Sequence, residues 1–257
     1  MTLQRRALRP SVRQAAIVEM IEKNGRATVE RLAEKFDASQ ETVRRDLSAL
    51  AEAGRVRKIH GGAVKVAFAR EGSFEERLKR NLRAKLEVAE KVAKFVQPGQ
   101  SVMIDTGTAT LTCADALARI RDLTVITNSA KIAERISSAQ NGSSVILLGG
   151  KYRPDNAQTV GPQTCAEIAR YRTDHLILTI SALDGLGAYD FLEDEALVAR
   201  SMIEHANDLT LVADTSKLGK SSTFKICELD RISRLVLEAS PKPELQASLA
   251  AAGVELL

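Results

Sequence analysis

Residues 39–64 have the sequence SQETVRRDLSALAEAGRVRKIHGGAV, and two adjacent features in it decide the fold of the first part of the chain. Ser39 is a suitable N-cap for a helix whose apolar positions repeat at helical spacing from Val43 to Leu50. The opposite face of this helix is polar and basic. Two short apolar strands around Gly61-Gly62 then predict a hairpin, which is also basic.

Two more helices are predicted before this stretch, at residues 12–24 and 28–36, with a short break at Asp37-Ala38. Helix, tight break, basic helix and basic hairpin are typical of a winged helix-turn-helix. The third helix would enter the major groove of DNA, and the hairpin would contact the DNA backbone or minor groove. The candidate DNA contacts are Thr28, Ser39, Gln40, Thr42, Arg44, Arg45, Arg57, Lys58 and His60.

The charge distribution favours the same interpretation. Residues 1–66 hold 14 Lys and Arg against 8 Asp and Glu, whereas the whole chain of 257 residues has a net charge of only +4. The rest of the chain is therefore slightly acidic. A basic head on a near-neutral body indicates a unit that binds a polyanion, joined to a unit with another task.

The composition excludes several classes of protein. A hydrophobic share of 44% and a charged share of 27% are those of a globular chain, not of collagen, a coiled coil or a disordered protein. Three distant cysteines and three histidines indicate neither a disulfide scaffold nor a zinc site. No apolar run is long enough to span a membrane, and no signal core follows Met1. We expect a cytoplasmic protein without a metal or a cofactor.

From residue 100 onward, short β-branched runs alternate with helical stretches. Strands are predicted at 101–105, 123–127, 144–148, 174–181, 208–213, 234–237 and 253–256, with helices at 108–120, 129–138, 163–170, 193–206 and 242–252. This alternation predicts a doubly wound α/β domain with a mostly parallel sheet. A long charged helix is expected before it, from Ser73 to about Val96.

Ligands of such sheets bind beyond the carboxyl ends of the strands. The segments that follow the predicted strands are rich in hydroxyl groups and in glycine, and one of them ends in a lysine. These features favour a phosphorylated sugar or polyol. The candidate contacts are Asp105, Thr106, Gly107, Thr108, Thr110, Thr127, Asn128, Gly149, Gly150, Ser181, Asp184 and Lys217.

The motifs of both parts resemble the DeoR family of bacterial transcriptional regulators. In the first part they are Thr42-Val43-Arg44-Arg45-Asp46-Leu47 and Arg57-Lys58-Ile59-His60-Gly61-Gly62-Ala63, and in the second Asp105-x-Gly107-Thr108, Ser181-Ala182-x-Asp184 and Asp214-x-Ser216-Lys217-Leu218-Gly219. Phe74-Glu75-x-Arg77, Asn81 and Lys85 resemble the linker helix of the family. The resemblance implies a sensor domain similar in fold to ribose-5-phosphate isomerase and adds Glu195 to the effector contacts. Asp46 is expected to orient a neighbouring arginine.

The predicted organisation is a winged helix-turn-helix at 9–66, a linker helix at 67–98 and a sensor domain at 99–257. The function implied is a repressor of a carbohydrate operon, with no catalytic residue, that binds operator DNA and a phosphorylated sugar. A homodimer or homotetramer would suit palindromic operators.

Two alternatives remain at this stage. One is a sugar-phosphate isomerase with an added DNA-binding head. The motif of such isomerases contains paired carboxylates, which the segment Ser181-Ala182-Leu183-Asp184-Gly185 lacks. The other is an architectural DNA-binding protein, which would leave the hydroxyl-rich strand ends unexplained.

Overall fold

The computed structural model describes residues 9–24, 26–53, 55–59, 61–65 and 73–257, in two compact units that part between residues 72 and 73. The helices are α1 (Pro10–Asn24), α2 (Val29–Phe36), α3 (Gln40–Glu52), α4 (Phe74–Lys79), α5 (Leu82–Ala93), α6 (Thr108–Leu117), α7 (Ala130–Ser137), α8 (Pro162–Ile168), α9 (Glu193–Glu204) and α10 (Pro243–Ala251). The strands are β1 (Arg26–Thr28), β2 (Val56–Ile59), β3 (Gly62–Lys65), β4 (Ser101–Ile104), β5 (Thr124–Thr127), β6 (Ser144–Leu147), β7 (Lys151–Arg153), β8 (Gln158–Val160), β9 (Thr173–Thr179), β10 (Ala182–Asp184), β11 (Gly187–Asp190), β12 (Ala206–Val212), β13 (Phe224–Cys227), β14 (Arg234–Val236) and β15 (Glu255–Leu256).

The first unit is the predicted winged helix-turn-helix. Its strands form an antiparallel sheet in the order β1-β3-β2, and the apolar faces of α1, α2 and α3 pack on one core. Hydroxyl caps begin two of the helices: the Thr28 Oγ1 accepts from the Arg31 N–H at 3.3 Å, and the Ser39 Oγ accepts from the Thr42 N–H at 3.1 Å. These caps fix where α2 and α3 start, and so fix the break between them.

A buried ion pair holds α3 against α1. The Arg13 Nε lies 2.6 Å from Asp46 Oδ2, and the Gln14 amide donates to Asp46 Oδ1 at 2.9 Å. Both charged side chains are almost fully buried. The salt bridge expected of Asp46 is therefore present, but its partner is Arg13 on α1 rather than a neighbouring arginine on α3.

The second unit is built on one seven-stranded sheet. The strand order is β15-β14-β12-β9-β4-β5-β6, and every pairing in it is parallel. Alternate residues of the strands face opposite sides, so Val102 and Ile104 join the core under α5, α6 and α7, whereas Met103 joins the core under α8, α9 and α10. The predicted doubly wound parallel sheet is confirmed.

The sequence predictions missed five short strands of this unit. β10, β11 and β13 form a separate antiparallel sheet, and β7 and β8 form a two-stranded hairpin. Each has only three or four residues, which is too short for an apolar repeat to stand out. The small sheet and the hairpin lie in the connections that follow β6, β9 and β12. They decide which side chains reach the edge of the large sheet.

The single long helix expected from Ser73 to Val96 is two helices. α4 ends at Lys79 and α5 begins at Leu82, because Asn81 has a left-handed conformation with φ 52°. The Lys85 ammonium group then donates to the carbonyl oxygens of Arg77 at 2.5 Å and Arg80 at 2.7 Å. The break is thus a fixed joint, and both helices pack in the second unit. Among the described residues, no helix is long and apolar enough to cross a bilayer.

Arg13→Ala should destabilise the first unit by about 3–5 kcal/mol, because it leaves the buried Asp46 carboxylate without its cation. Hydrogen exchange of the α1 and α3 amides would measure the loss. Arg45→Ala is the matched control, since its ion pair with Glu41 at 3.5 Å is exposed, and it should cost less than about 1 kcal/mol. Equal effects of the two substitutions would show that the buried pair does not hold the unit together.

Candidate functional site

The outer face of α3 carries the side chains that the sequence assigns to DNA. Gln40, Arg44 and Arg45 are exposed, and the Arg44 guanidinium donates to Gln40 Oε1 at 3.1 Å. Glu41 pairs with Arg44 at 3.9 Å and with Arg45 at 3.5 Å. Such exposed pairs are weak, so both guanidinium groups remain available to DNA.

A hydrogen bond joins the wing, formed by β2 and β3, to α3. The exposed Lys58 of β2 donates from its ammonium group to the Ser48 Oγ at 3.0 Å. Of the other candidate contacts, Thr28 and Ser39 are exposed N-caps, and the Thr42 hydroxyl lies 2.8 Å from that of Ser39. His60 and the side chain of Arg57 lie outside the described residues.

In the second unit, the carboxyl ends of β4 and β9 lie side by side. The Asp105 Oδ1 accepts from the Thr179 N–H at 3.0 Å, which joins the two strand ends. Burial raises the pKa of Asp105 well above its usual range, and the charges of Asp190 and Glu195 raise it further. Asp105 thus lies at the centre of an acidic cluster.

α6 begins at Thr108, three positions after Asp105, and no side chain caps it. Its N-cap is Gly107, which has no side-chain oxygen to accept the first-turn N–H groups. A Cβ at Gly107 would lie 2.3 Å from the Thr179 Cγ2, so only glycine fits there. The uncapped amides and the Thr108 hydroxyl supply donors for an anion.

The end of β5 reaches the same edge. The Thr106 hydroxyl donates to Asn128 Oδ1 at 3.2 Å, and the Asn128 amide donates to the Thr159 carbonyl at 3.0 Å. The Thr127 hydroxyl is fully buried and accepts from the Ser129 N–H at 3.1 Å, so it shapes the start of α7.

Two predicted groups of contacts have structural roles in this arrangement. The Gly149 N–H donates to Glu167 at 2.5 Å, and a Cβ at Gly150 would lie 2.0 Å from the Thr164 Oγ1, so this pair packs against α8. Asp184 accepts from the Leu186 N–H at 2.8 Å and from the Tyr189 hydroxyl at 3.1 Å, which holds the β10–β11 turn. In the part of the chain that the structure describes, neither group is hydrogen-bonded to Asp105.

Glu195, in the first turn of α9, does lie at the site. It accepts from the Gln158 amide and from the Asn156 amide at 3.3 Å, and Arg153 lies 4.0 Å away. Burial and the charge of Asp190 raise the pKa of Glu195 to about 7, although Gln158 and Arg153 act in the opposite direction. The β7–β8 hairpin, which sequence analysis missed, supplies all three of these partners.

Asp190 is a site residue that the sequence did not indicate. Its Oδ1 accepts from the Ser181 hydroxyl at 3.0 Å, so β11 returns it to the end of β9. Its charge acts on both Asp105 and Glu195. Only the unpredicted β10–β11 hairpin produces this placement, and no local pattern in the sequence signals it. The described part of the chain has no group of His, Cys, Asp and Glu placed to hold a metal ion.

Cationic groups lie at the end of β12, next to the joint between α4 and α5. Asp214 accepts from the Asn81 amide at 3.1 Å, and Lys217 follows in the next turn. Burial is the main cause that lowers the pKa of Lys85 to about 8; the charge of Asp214 acts against it and the charge of Lys217 acts with it, so the two ammonium groups lie near each other. A second bond ties α4 to the site, because Arg77 donates to Asn156 Oδ1 at 2.6 Å.

Comparisons with known proteins agree with this architecture. The DeoR C-terminal sensor domain family matches residues 80–239, and the DeoR-like helix-turn-helix domain family matches residues 13–67. The chain is 30% identical to the HTH-type transcriptional repressor CsqR of Escherichia coli K12, over 94% of this chain and 92% of that protein. It is 33% identical to the glycerol-3-phosphate regulon repressor of Haemophilus influenzae, over 89% of each.

One solved structure that matches is ribose 5-phosphate isomerase A of Methanocaldococcus jannaschii. The TM-score is 0.40 and the identity is 15%, over 54% of this chain and 55% of the isomerase.

The raised pKa of Glu195 predicts how the stability of the protein changes with pH. Between pH 4.5 and about 7 the folded protein holds this proton more tightly than the unfolded chain, so its contribution is present at low pH and is lost as the pH rises. Relative to Glu195→Gln, the unfolding free energy of the wild type should fall by up to about 3 kcal/mol from pH 4.5 to pH 8.

Urea unfolding at four or five pH values would measure this difference. Glu87→Gln, on the exposed face of α5, is the control and should follow the wild-type pH profile. Parallel pH profiles for wild type and Glu195→Gln would contradict the assigned environment of Glu195.

Proposed function

The chain belongs to the DeoR family of DNA-binding transcriptional repressors, and we propose that a phosphorylated sugar, bound at the carboxyl ends of β4, β9 and β12, controls its affinity for operator DNA. The regulated genes would be those of carbohydrate catabolism. The observation that carries the effector site is the uncapped N-terminus of α6, with Gly107 as N-cap, beside side chains suited to hydroxyl groups.

We propose that α3 and the wing are the DNA contacts. The exposed Arg44 and Arg45 lie on the face of α3 opposite its buried residues Val43 and Leu47, as a recognition helix requires. Lys58 adds a cation on the adjacent strand. A homodimer or homotetramer would present two such faces to the half-sites of a palindrome.

The proposed phosphate position lies between α6 and the turn after β12. The first-turn amides of α6 and the Thr108 hydroxyl would donate to the phosphate, and Lys217 would add a positive charge. The side chains of Asp105 and Glu195 would accept hydrogen bonds from the hydroxyl groups of the sugar. Binding without turnover is proposed, because the segment after β9 lacks the paired carboxylates of the isomerase motif.

The joint between α4 and α5 is the proposed route from effector to DNA. Arg77 and Asn81 bond to Asn156 and Asp214 at the edge of the site, and only Ser73 separates α4 from the last residue of the first unit. The effector would change DNA affinity only by binding the operator-competent and released states unequally. A coupling of about 1–3 kcal/mol would change operator affinity by roughly 5–150-fold.

The double substitution Arg44→Ala and Arg45→Ala should abolish specific operator binding while the protein stays folded, because both side chains are exposed. Lys58→Ala should weaken binding more evenly across sequences and reduce the salt dependence by about one unit of slope. Fluorescence anisotropy with operator and scrambled DNA at several salt concentrations separates the two effects. Wild-type operator affinity in the double variant would exclude α3 as the reading helix.

Lys217→Ala should bind operator DNA normally but should require a much higher effector concentration for release, because the phosphate loses a cation. Titration of phosphorylated sugars into a labelled operator complex measures this shift. Lys220→Ala is the control, since Lys220 is exposed and already bonds to the Ser216 carbonyl. Release of the Lys217→Ala complex at the wild-type effector concentration would place the phosphate elsewhere.

A further inference from the structure

The turn of the β7–β8 hairpin holds a buried amide. Pro154 and Asp155 at the start of the turn are exposed, whereas Asn156 is only 5% exposed. Ala157 follows with a left-handed backbone, φ 52°, which is uncommon for alanine and persists only where the surrounding structure holds it. Its carbonyl oxygen accepts from the Ala130 N–H at 2.9 Å. A strained turn therefore keeps the polar side chain of Asn156 inside the second unit.

The two ends of the Asn156 amide bond to two different helices. Its oxygen accepts from the Arg77 guanidinium group on α4 at 2.6 Å, and its nitrogen donates to Glu195 Oε1 on α9 at 3.3 Å. This orientation is fixed, because a guanidinium group can only donate and so requires the amide oxygen. Asn156 is therefore a bridge of defined polarity between α4 and a carboxyl group that is proposed to bind the sugar.

The bond from Asn156 is the weaker of the two that Glu195 receives from amides of the hairpin. Gln158 also donates to Oε1, at a shorter distance, whereas 3.3 Å is long for a bond of this kind. Both bonds can form whether or not Glu195 carries a proton, since a neutral carboxyl group keeps an acceptor oxygen. The bonds that Glu195 makes to the described residues all fall on Oε1, so Oε2 can meet a sugar hydroxyl.

Arg77 connects this bridge to the joint between α4 and α5. Its guanidinium group bonds to Asn156 and also lies 5.6 Å from the centre of the Phe74 ring. Its carbonyl oxygen accepts from the Lys85 ammonium group, which bonds to the Arg80 carbonyl oxygen as well. A change at Asn156 therefore acts on a residue that shapes the joint.

We propose that Asn156 is the positioning residue that couples Glu195 to α4, and through α4 to the release of DNA. A sugar hydroxyl that bonds to Glu195 draws the carboxyl group away from the Asn156 amide. A buried N–H group without an acceptor is unfavourable, so the amide turns and its oxygen leaves Arg77. This inference rests on the proposed function and adds the residue that transmits it. Gln158 bonds to the same oxygen but to no group of α4 among the described residues, so it positions Glu195 without transmitting.

The operator affinity of the full-length protein, with and without a phosphorylated sugar, tests this coupling. Ribose 5-phosphate, fructose 6-phosphate and glucose 6-phosphate are titrated into a labelled operator complex, and the ester that releases the wild type at the lowest concentration is used for every variant. In Asn156→Ala, the ratio of the operator Kd at saturating ester to the Kd without ester should fall to within about twofold of one. Asn156→Asp should give the same loss, because the Arg77 cation favours the ionised carboxylate, which can accept but cannot donate to Glu195.

Gln158→Ala is the matched control, since it removes the other amide that donates from the same hairpin to the same oxygen. It should raise the ester concentration that release requires, while the Kd ratio at saturation keeps its wild-type value. A wild-type ratio in folded Asn156→Ala or Asn156→Asp would overturn the inference. An equal loss of the ratio in Gln158→Ala would overturn it as well.

Hydrogen exchange in the absence of any ligand tests the bridge separately. Glu195→Ala should speed the exchange of the α4 amides by about threefold or more, and it should have no further effect in the Asn156→Ala background. Glu193→Ala is the control, since Glu193 is exposed in the same turn of α9, and it should leave α4 unchanged. An effect of Glu195→Ala that persists without Asn156 would contradict the bridge.

The two measurements separate the inference from the proposed function. If none of the three esters changes operator binding by the wild type, the proposed function fails, and hydrogen exchange alone decides whether Asn156 links Glu195 to α4. If an ester releases the wild type and the Asn156 variants alike, only the inference fails.

Discussion

The second unit depends on how two parallel strands separate at their carboxyl ends. The last ladder bond between them runs from the Asp105 N–H to the Ile177 carbonyl at 3.3 Å. Beyond it, the chain turns away into α6, and the Asp105 carboxylate accepts the Thr179 N–H in place of a backbone carbonyl. One side chain thereby completes the ladder and brings a carboxyl group to the point where ligands of parallel sheets bind.

That arrangement has an energetic cost. Asp105 keeps its proton more firmly than an exposed carboxyl group does, because burial disfavours its charged form and because Asp190 and Glu195 are near. The hydrogen bond from the Thr179 N–H offsets only part of this cost. Ionisable groups with such shifted pKa values cluster at functional sites. At these sites the protein is less stable than it would be if the same positions served only the fold.

The sequence was sufficient for the order of the main elements but not for the details of the site. Seven apolar strands and the helices between them follow from patterns long enough to recognise, and hydroxyl caps such as Ser39 mark helix starts locally. The sequence assigned Asp184 to the effector and not Asp190, although each is an aspartate on a strand of three or four residues. Only the tertiary pairing of β10 with β11 separates their roles.

The same limit applies to the joint between α4 and α5. Apolar spacing from Leu78 to Val96 favours one continuous helix, and a propensity argument has no reason to break it at Asn81. The break is stabilised by distant partners, since Asp214 lies 133 positions away in the sequence. Lys85, buried with a lowered pKa, satisfies the carbonyl oxygens that the break leaves without helical partners. The bond between Asn81 and Asp214 thus lies at the break and also fixes the joint to the end of β12. A ligand that alters the Asp214 turn would therefore act directly on the geometry of the two helices.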